Sequence, residues 1–212
     1  MKNFIFDVDG TLVDTFNMYI PALKEVLDRH GIHRKIPELA KYFSYSGDRT
    51  LKEVGIAKEK RTQVFDEWAQ TAATRLKNVT VFHGVENTLR SIAQKEETSL
   101  VVATSRTKSQ YLDQFANRFT IHQYFDTYVT ADDTQQHKPD PAPIQVSMHR
   151  MQAQTNDTIY IGDSLSDLQA AHAAHIKFGS ALWGAGDAKI LAQADYQFQD
   201  PREVLELLPK TD

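Results

Sequence analysis

Asn3-Phe4-Ile5-Phe6-Asp7-Val8-Asp9-Gly10-Thr11 is the stretch that decides the fold. A short apolar run leads straight into two carboxylates one residue apart, the pattern of a buried strand that ends in an acidic loop. Side chains alternate along a strand, so Asp7 and Asp9 point the same way, toward the crevice where open α/β sheets bind ligands. Like charges that close are tolerated when a cation lies between them or one carries a proton. Gly10 permits a tight turn and Thr11 adds a hydroxyl. Asp and Gly also favour plain turns, and an acidic turn after a strand is the competing reading.

Outward from this stretch, strands are expected at residues 3 to 8, Ser99 to Ala103, Thr127 to Val129, Thr158 to Ile161, Phe178 to Leu182 and, weakly, Tyr196 to Phe198. Helical periodicity follows most of them, as in Pro141 to Met151, Leu165 to Ala174 and a short segment at 202 to 208. Alternating strands and helices predict an α/β protein: a Rossmann-like, mostly parallel sheet with helices on both faces. Residues 15–81 carry helix patterns only: Tyr19, Leu23, Val26 and Leu27; Leu39, Tyr42 and Phe43; Val64, Phe65, Trp68, Ala72 and Leu76. A strand-poor block after the first strand reads as an all-helical cap domain inserted into a core made of 1–14 and 82–212.

At 212 residues, 41% hydrophobic and 25% charged, the chain has an ordinary globular composition. A formal net charge of -4 argues against a general nucleic-acid or membrane-surface binder, which needs a basic footprint. There is no cysteine, which excludes disulfides, thiol catalysis and zinc-thiolate sites. The acids follow Met1 so soon that no signal-peptide apolar region fits, and a cytoplasmic protein is expected; a small anionic substrate would have to be held by a few local positive groups. Oligomeric state is not legible.

Three further signals lie at strand ends. Thr104-Ser105-Arg106 precedes a helix expected near Thr107; its hydroxyls and amides either bind an anion or merely cap the helix. In His137-Lys138-Pro139-Asp140-Pro141, Lys138 either delivers one positive charge to a phosphate or is a solvated loop lysine. In Gly162-Asp163-Ser164-Leu165-Ser166-Asp167, the acids either serve the site or complement a helix dipole. Together they supply what phosphoryl transfer requires: a carboxylate nucleophile, a second acid, hydroxyl and amide donors, a lysine, and acids for a divalent metal.

In this order, Asp7-Val8-Asp9-Gly10-Thr11-Leu12-Val13-Asp14, Thr104, Lys138-Pro139 and Gly162-Asp163-Ser164 with Asp167 resemble the four motifs of the haloacid dehalogenase superfamily. The helical insertion between the first two resembles the type 1 cap subfamily, which contains phosphoglycolate phosphatases and β-phosphoglucomutases. The resemblance implies a Mg²⁺-dependent phosphatase of a small phosphomonoester, with phosphoglycolate the nearest family substrate. It makes Asp7 the nucleophile that becomes an aspartyl-phosphate, and Asp9 the acid that protonates the leaving oxygen and then activates water. Asp7, the Asp9 backbone carbonyl and Asp163 would hold the Mg²⁺, with Asp167 behind them. Thr104, the Ser105 amide and Lys138 would bind the phosphoryl oxygens.

Relatives commonly have glycine near the end of the helix after Asp167, where this chain reads Ala173-Ala174-His175; a histidine there suits the negative end of the helix dipole. His172 and His175 read as solvated surface residues, and Gly184-Ala185-Gly186 as a turn after a strand. A sugar-phosphate mutase is the alternative, yet the Gly-x-Ser-Arg order of those mutases is not matched by Ser44-Tyr45-Ser46-Gly47-Asp48-Arg49. A dehalogenase would lack the acid at Asp9, and a catalytically silent binding module would have decayed site residues. In the cap loop, Arg49 either grips a second anionic group such as a carboxylate or is a solvated first-turn residue.

Overall fold

The computed structural model describes residues 1–209. Its strands are β1 (Asn3–Phe6), β2 (Val13–Asp14), β3 (Thr80–Val81), β4 (Ser99–Ala103), β5 (Thr127–Val129), β6 (Thr158–Gly162), β7 (Lys177–Ala181) and β8 (Tyr196–Phe198). The helices are α1 (Phe16–Arg29), α2 (Ile36–Leu39), α3 (Gly47–Glu53), α4 (Arg61–Ala73), α5 (Val85–Ala93), α6 (Lys108–Tyr111), α7 (Ala142–Met151) and α8 (Leu165–Ala173). Six strands form one sheet in the order β5-β4-β1-β6-β7-β8, and every pairing in it is parallel.

The central strand shows why the sheet is covered on both faces. Phe4 and Phe6 pack into one apolar cluster with α5 residues Leu89 and Ile92, while Ile5 packs into another with Ile144 of α7 and Leu168 of α8. Alternation across a strand buried on both sides yields the continuous apolar run seen in the sequence. The chain leaves β1 toward β4 and β5 on one side and later returns to β6 on the other. That reversal beside β1 opens a crevice at the carboxyl ends of the strands.

Strand β1 stops at Phe6, earlier than the expected 8. The amides of Leu12 and Val13 both donate to the Val8 carbonyl, at 2.9 and 3.0 Å, so the chain folds back on itself directly after Asp7. The return leg is β2, which pairs antiparallel with β3. This two-stranded neck brackets α1 to α4, and its β3 falls inside the 15–81 stretch expected to carry helix patterns only, a strand too short to show a period of two. The three helix patterns of the insertion are present with breaks: the second divides into α2 and a 3₁₀ turn at Ala40–Ser44, and Leu76 lies beyond α4 in another 3₁₀ turn. The segment expected as a terminal helix is a 3₁₀ helix, Pro201–Leu207, started by the Asp200 side chain accepting from the Arg202 amide at 2.9 Å.

His175 follows α8 with φ of 58°. That is the left-handed conformation in which glycine carries no steric penalty, so the dipole argument for histidine misses the main effect. His172, by contrast, faces Asp195 at the surface, with Lys177 on the same carboxylate. His175→Gly should stabilise the protein by about 0.5–1 kcal/mol, read as a higher urea midpoint at unchanged m-value; a lower midpoint would contradict the strain argument.

Candidate active site

Four loops bring side chains to the carboxyl ends of the strands. The loop after β1 supplies Asp7 and Asp9, that after β4 Ser105 and Arg106, that after β5 Lys138, and that after β6 Asp163 and Ser164. They line one side of a cavity of about 540 Å³ whose other side is the helical insertion.

Lys138 is the hub. Its ammonium, on a side chain only 4% exposed, donates to Asp7 Oδ1 at 3.0 Å, to the Tyr160 hydroxyl at 2.8 Å and to Asp167 Oδ1 at 2.7 Å. Three donors meet three acceptors, so the buried charge is satisfied. Burial works against that charge, but Asp167 and Asp7 outweigh it and hold the lysine above its ordinary pKa. Asp167 accepts further hydrogen bonds from the Tyr160 hydroxyl at 2.9 Å and from the Ser164 amide and hydroxyl at 3.1 and 2.6 Å. Its acceptor sites are thereby filled. Asp7, Asp163 and Asp167 nonetheless lie close enough for one oxygen of each to fall within 4.8 Å of the others.

Asp163 has no such partners; among the described residues its carboxylate accepts one hydrogen bond, from the Thr11 hydroxyl at 3.5 Å. Burial, then repulsion by Asp167 and Asp7, pushes its carboxyl well above the ordinary carboxylate range. Burial raises Asp7 in the same way, opposed by Lys138 and reinforced by Asp167 and Asp9, to about 7. Two buried carboxyls that favour a proton mark a place short of positive charge.

Asp9 differs. Arg106 grips it through two parallel hydrogen bonds, Nε to Oδ2 at 2.8 Å and Nη2 to Oδ1 at 2.7 Å. Burial alone would raise Asp9, but the guanidinium's charge and hydrogen bonds prevail and hold it below the ordinary range. Arg106 has no role among the sequence expectations, although a basic residue at a strand end among acids is a legible signal. Tyr160 went unnoticed because a tyrosine inside an apolar strand looks like core.

The remaining expected residues fall as follows. Thr104 is buried, and its hydroxyl accepts from the Arg106 amide at 3.2 Å. The helix is capped by Thr107, which accepts from the Gln110 amide, so neither Thr104 nor Ser105 serves as that cap. Ser105 is exposed at the cavity. Arg49 does not line the cavity: it lies in the first turn of α3, over the Tyr45 ring at 3.8 Å and paired with Glu53 at 2.9 Å. The insertion contributes instead Tyr19, Tyr42, Phe43, Tyr45, Phe65 and Trp68. Tyr19, Tyr42, Phe43, Phe65 and Trp68 belong to the expected helical apolar stripes, where an aromatic facing a cavity is indistinguishable from one facing a core.

The model of one family, haloacid dehalogenase-like hydrolase, matches residues 4–181. The chain belongs to the haloacid dehalogenase-like hydrolases. Among relatives of this family, it is 24% identical to Pyrophosphatase PpaX of Oceanobacillus iheyensis, covering 98% of this chain and 97% of that one. It is 25% identical to the phosphoglycolate phosphatase of Pectobacterium atrosepticum, over 98% and 92% of the two chains. A crystal structure from Lactobacillus plantarum, provisionally named a phosphoglycolate phosphatase, superposes with a TM-score of 0.89 at 26% identity, covering 98% and 99%. The parallel sheet is thus that of a haloacid dehalogenase-like hydrolase.

The raised Asp7 carboxyl fixes a pH response. Between its ordinary value of 3.8 and about 7 the folded, metal-free protein holds a proton that the unfolded chain has lost. Stability therefore falls as pH rises through that window and levels above it. Thermal melts in chelator should show this decline, to which the raised Asp163 adds with the same sign, and Asp7→Asn should reduce its slope; an equal slope in both proteins would contradict the assignment.

Proposed function

We propose that this chain is a Mg²⁺-dependent phosphatase that hydrolyses a small phosphomonoester through an aspartyl-phosphate on Asp7. The reading rests above all on the meeting of Asp7, Asp9, Lys138 and Asp163 in one cavity from three separate loops. The phosphatase names of the relatives support it.

The residues present fit the metal. Asp7 and Asp163 offer hard carboxylate oxygens, both are pushed toward a proton-bound state by burial, and Lys138 engages Oδ1 of Asp7. Mg²⁺ is suited by one or two carboxylates together with substrate phosphate and water. Asp7, Asp163 and the Asp9 carbonyl are the proposed ligands; Asp167, its acceptor sites occupied, is proposed to fix Lys138 beside them. When bound, the metal would offset charge on the transferring phosphoryl oxygens.

The chain's own groups divide the work. An oxygen of Asp7 attacks phosphorus as the ester P–O bond breaks, and Asp9 gives a proton to the departing oxygen. Water then attacks the same phosphorus while Asp9 takes its proton, and the bond to Asp7 breaks to release phosphate. The Arg106 pair favours ionised Asp9, the form needed to take the proton from water. The first half uses the opposite form, so the departing oxygen takes its proton from an Asp9 that the Arg106 pair makes a stronger acid. Lys138 and the Ser105 amide are proposed to hold phosphoryl oxygens, with Thr104 positioning that loop. The phosphomutase alternative draws no support from Arg49, which is held by Glu53 and Tyr45 outside the cavity lining. Lack of cysteine suits a reducing cytoplasm as the proposed location.

Two measurements test the reading. Asp7→Asn should abolish phosphoenzyme and turnover, whereas Asp9→Asn should retain phosphate binding and lose about 10²- to 10⁴-fold in kcat. Chelation should silence the wild type, and added Mg²⁺ should restore it. Wild-type turnover by Asp7→Asn would end the covalent mechanism, and full activity after exhaustive chelation would end the metal assignment.

A further inference from the structure

The cavity wall contributed by the insertion holds six aromatic side chains and one charged one, Asp66. Among the described residues, no lysine, arginine or histidine of the insertion lines the cavity. The two cations of the opposite wall are committed, Lys138 to Asp7, Tyr160 and Asp167, and Arg106 to both oxygens of Asp9. A leaving group bearing a carboxylate or a second phosphate would lose its hydration against rings and against Asp66, with no counter-charge on that wall.

Apolar surface is left open there. Phe65 is the one exposed large hydrophobic side chain among the described residues, 46% accessible, and it lies in this wall. Its ring meets Trp68 edge-on at 6.1 Å and rests against Gly47, where a Cβ would overlap it. Trp68 is fixed in turn by donating its indole N–H to the Tyr19 carbonyl at 2.8 Å. Rings held in this way present a preformed apolar face that a ligand can cover.

Building on the phosphatase reading, we propose that the substrate is a phosphomonoester whose leaving group is uncharged and presents an apolar or aromatic face to Tyr45, Phe65 and Trp68. The phosphoryl group sits over Asp7 and the ring or chain of the alcohol covers Phe65. Phosphoglycolate, small and anionic in its leaving group, fits this wall badly.

The test is phosphate release by the Mg²⁺-loaded full chain from 2-phenylethyl phosphate, phosphoglycolate and methyl phosphate. The expected kcat/KM for 2-phenylethyl phosphate exceeds that for each of the others by about tenfold or more. Phe65→Ser, a change at an exposed position, should reduce the preference for 2-phenylethyl over methyl phosphate by about fivefold or more. Should that variant fail to fold, Asp66→Lys carries the same test by moving the preference about tenfold toward phosphoglycolate. Phosphoglycolate hydrolysed as efficiently as 2-phenylethyl phosphate, or a preference unmoved by the variant measured, would overturn the substrate assignment alone. No phosphate from any of the three esters would overturn the phosphatase reading and this assignment with it.

Discussion

Lys138 sits where an ammonium is expensive to bury, and the strand-end site is arranged around keeping it there. Its three acceptors come from the loop after β1, from the middle of β6 and from the start of α8, while the lysine itself arrives from the loop after β5. Removing one member of such a buried pair commonly costs about 3–5 kcal/mol, because the other is left charged and unpaired. Asp167 is therefore as necessary to the site's geometry as Asp7, although it does not line the cavity. By filling its own acceptor sites it fixes the ammonium, and the ammonium fixes one oxygen of Asp7.

This concentration of carboxylates requires backbone to come unusually near. A Cβ on Gly10, whose φ is 73°, would run into the Asp163 carboxylate, so only glycine lets the β1 loop and the β6 loop close on each other. Behind that turn, a Cβ on Gly184 would strike the Gly10 carbonyl, and Trp183 donates its indole N–H to the Thr11 carbonyl at 2.9 Å. Two residues later the Gly186 amide donates to Ser44 Oγ at 2.7 Å. The Gly184–Gly186 turn thus props the loop that carries Asp7 and Asp9 from behind and ties it to the insertion.

What the sequence disclosed and what it hid follow from how far each interaction reaches. The strands were visible because burial on both faces leaves uninterrupted apolar runs, and the acids were visible because few scaffolds place Asp7 and Asp9 together after one. Arg106 was in view but unassigned, since its meaning depends on Asp9, 97 residues away. The β2–β3 neck was invisible because two-residue strands have no periodicity. The aromatics of the insertion were legible as apolar and illegible as cavity-facing: helical spacing names a face, and only packing says whether that face meets a core or a void.

The contrast between the two walls of the cavity has a physical logic. Four carboxylates and two cations are gathered on the sheet side, an excess of negative charge that, with burial, pushes the Asp7 and Asp163 carboxyls above the ordinary range. A wall of rings lies opposite, and ion pairs such as Asp9–Arg106 gain strength as the surrounding dielectric falls. The same low dielectric magnifies repulsion, so a second anion on the substrate would be disfavoured by the excess carboxylates and by Asp66 alike. On the substrate assignment proposed above, the wall facing the strand-end carboxylates would thus also select against charge in the part of the substrate lying upon it.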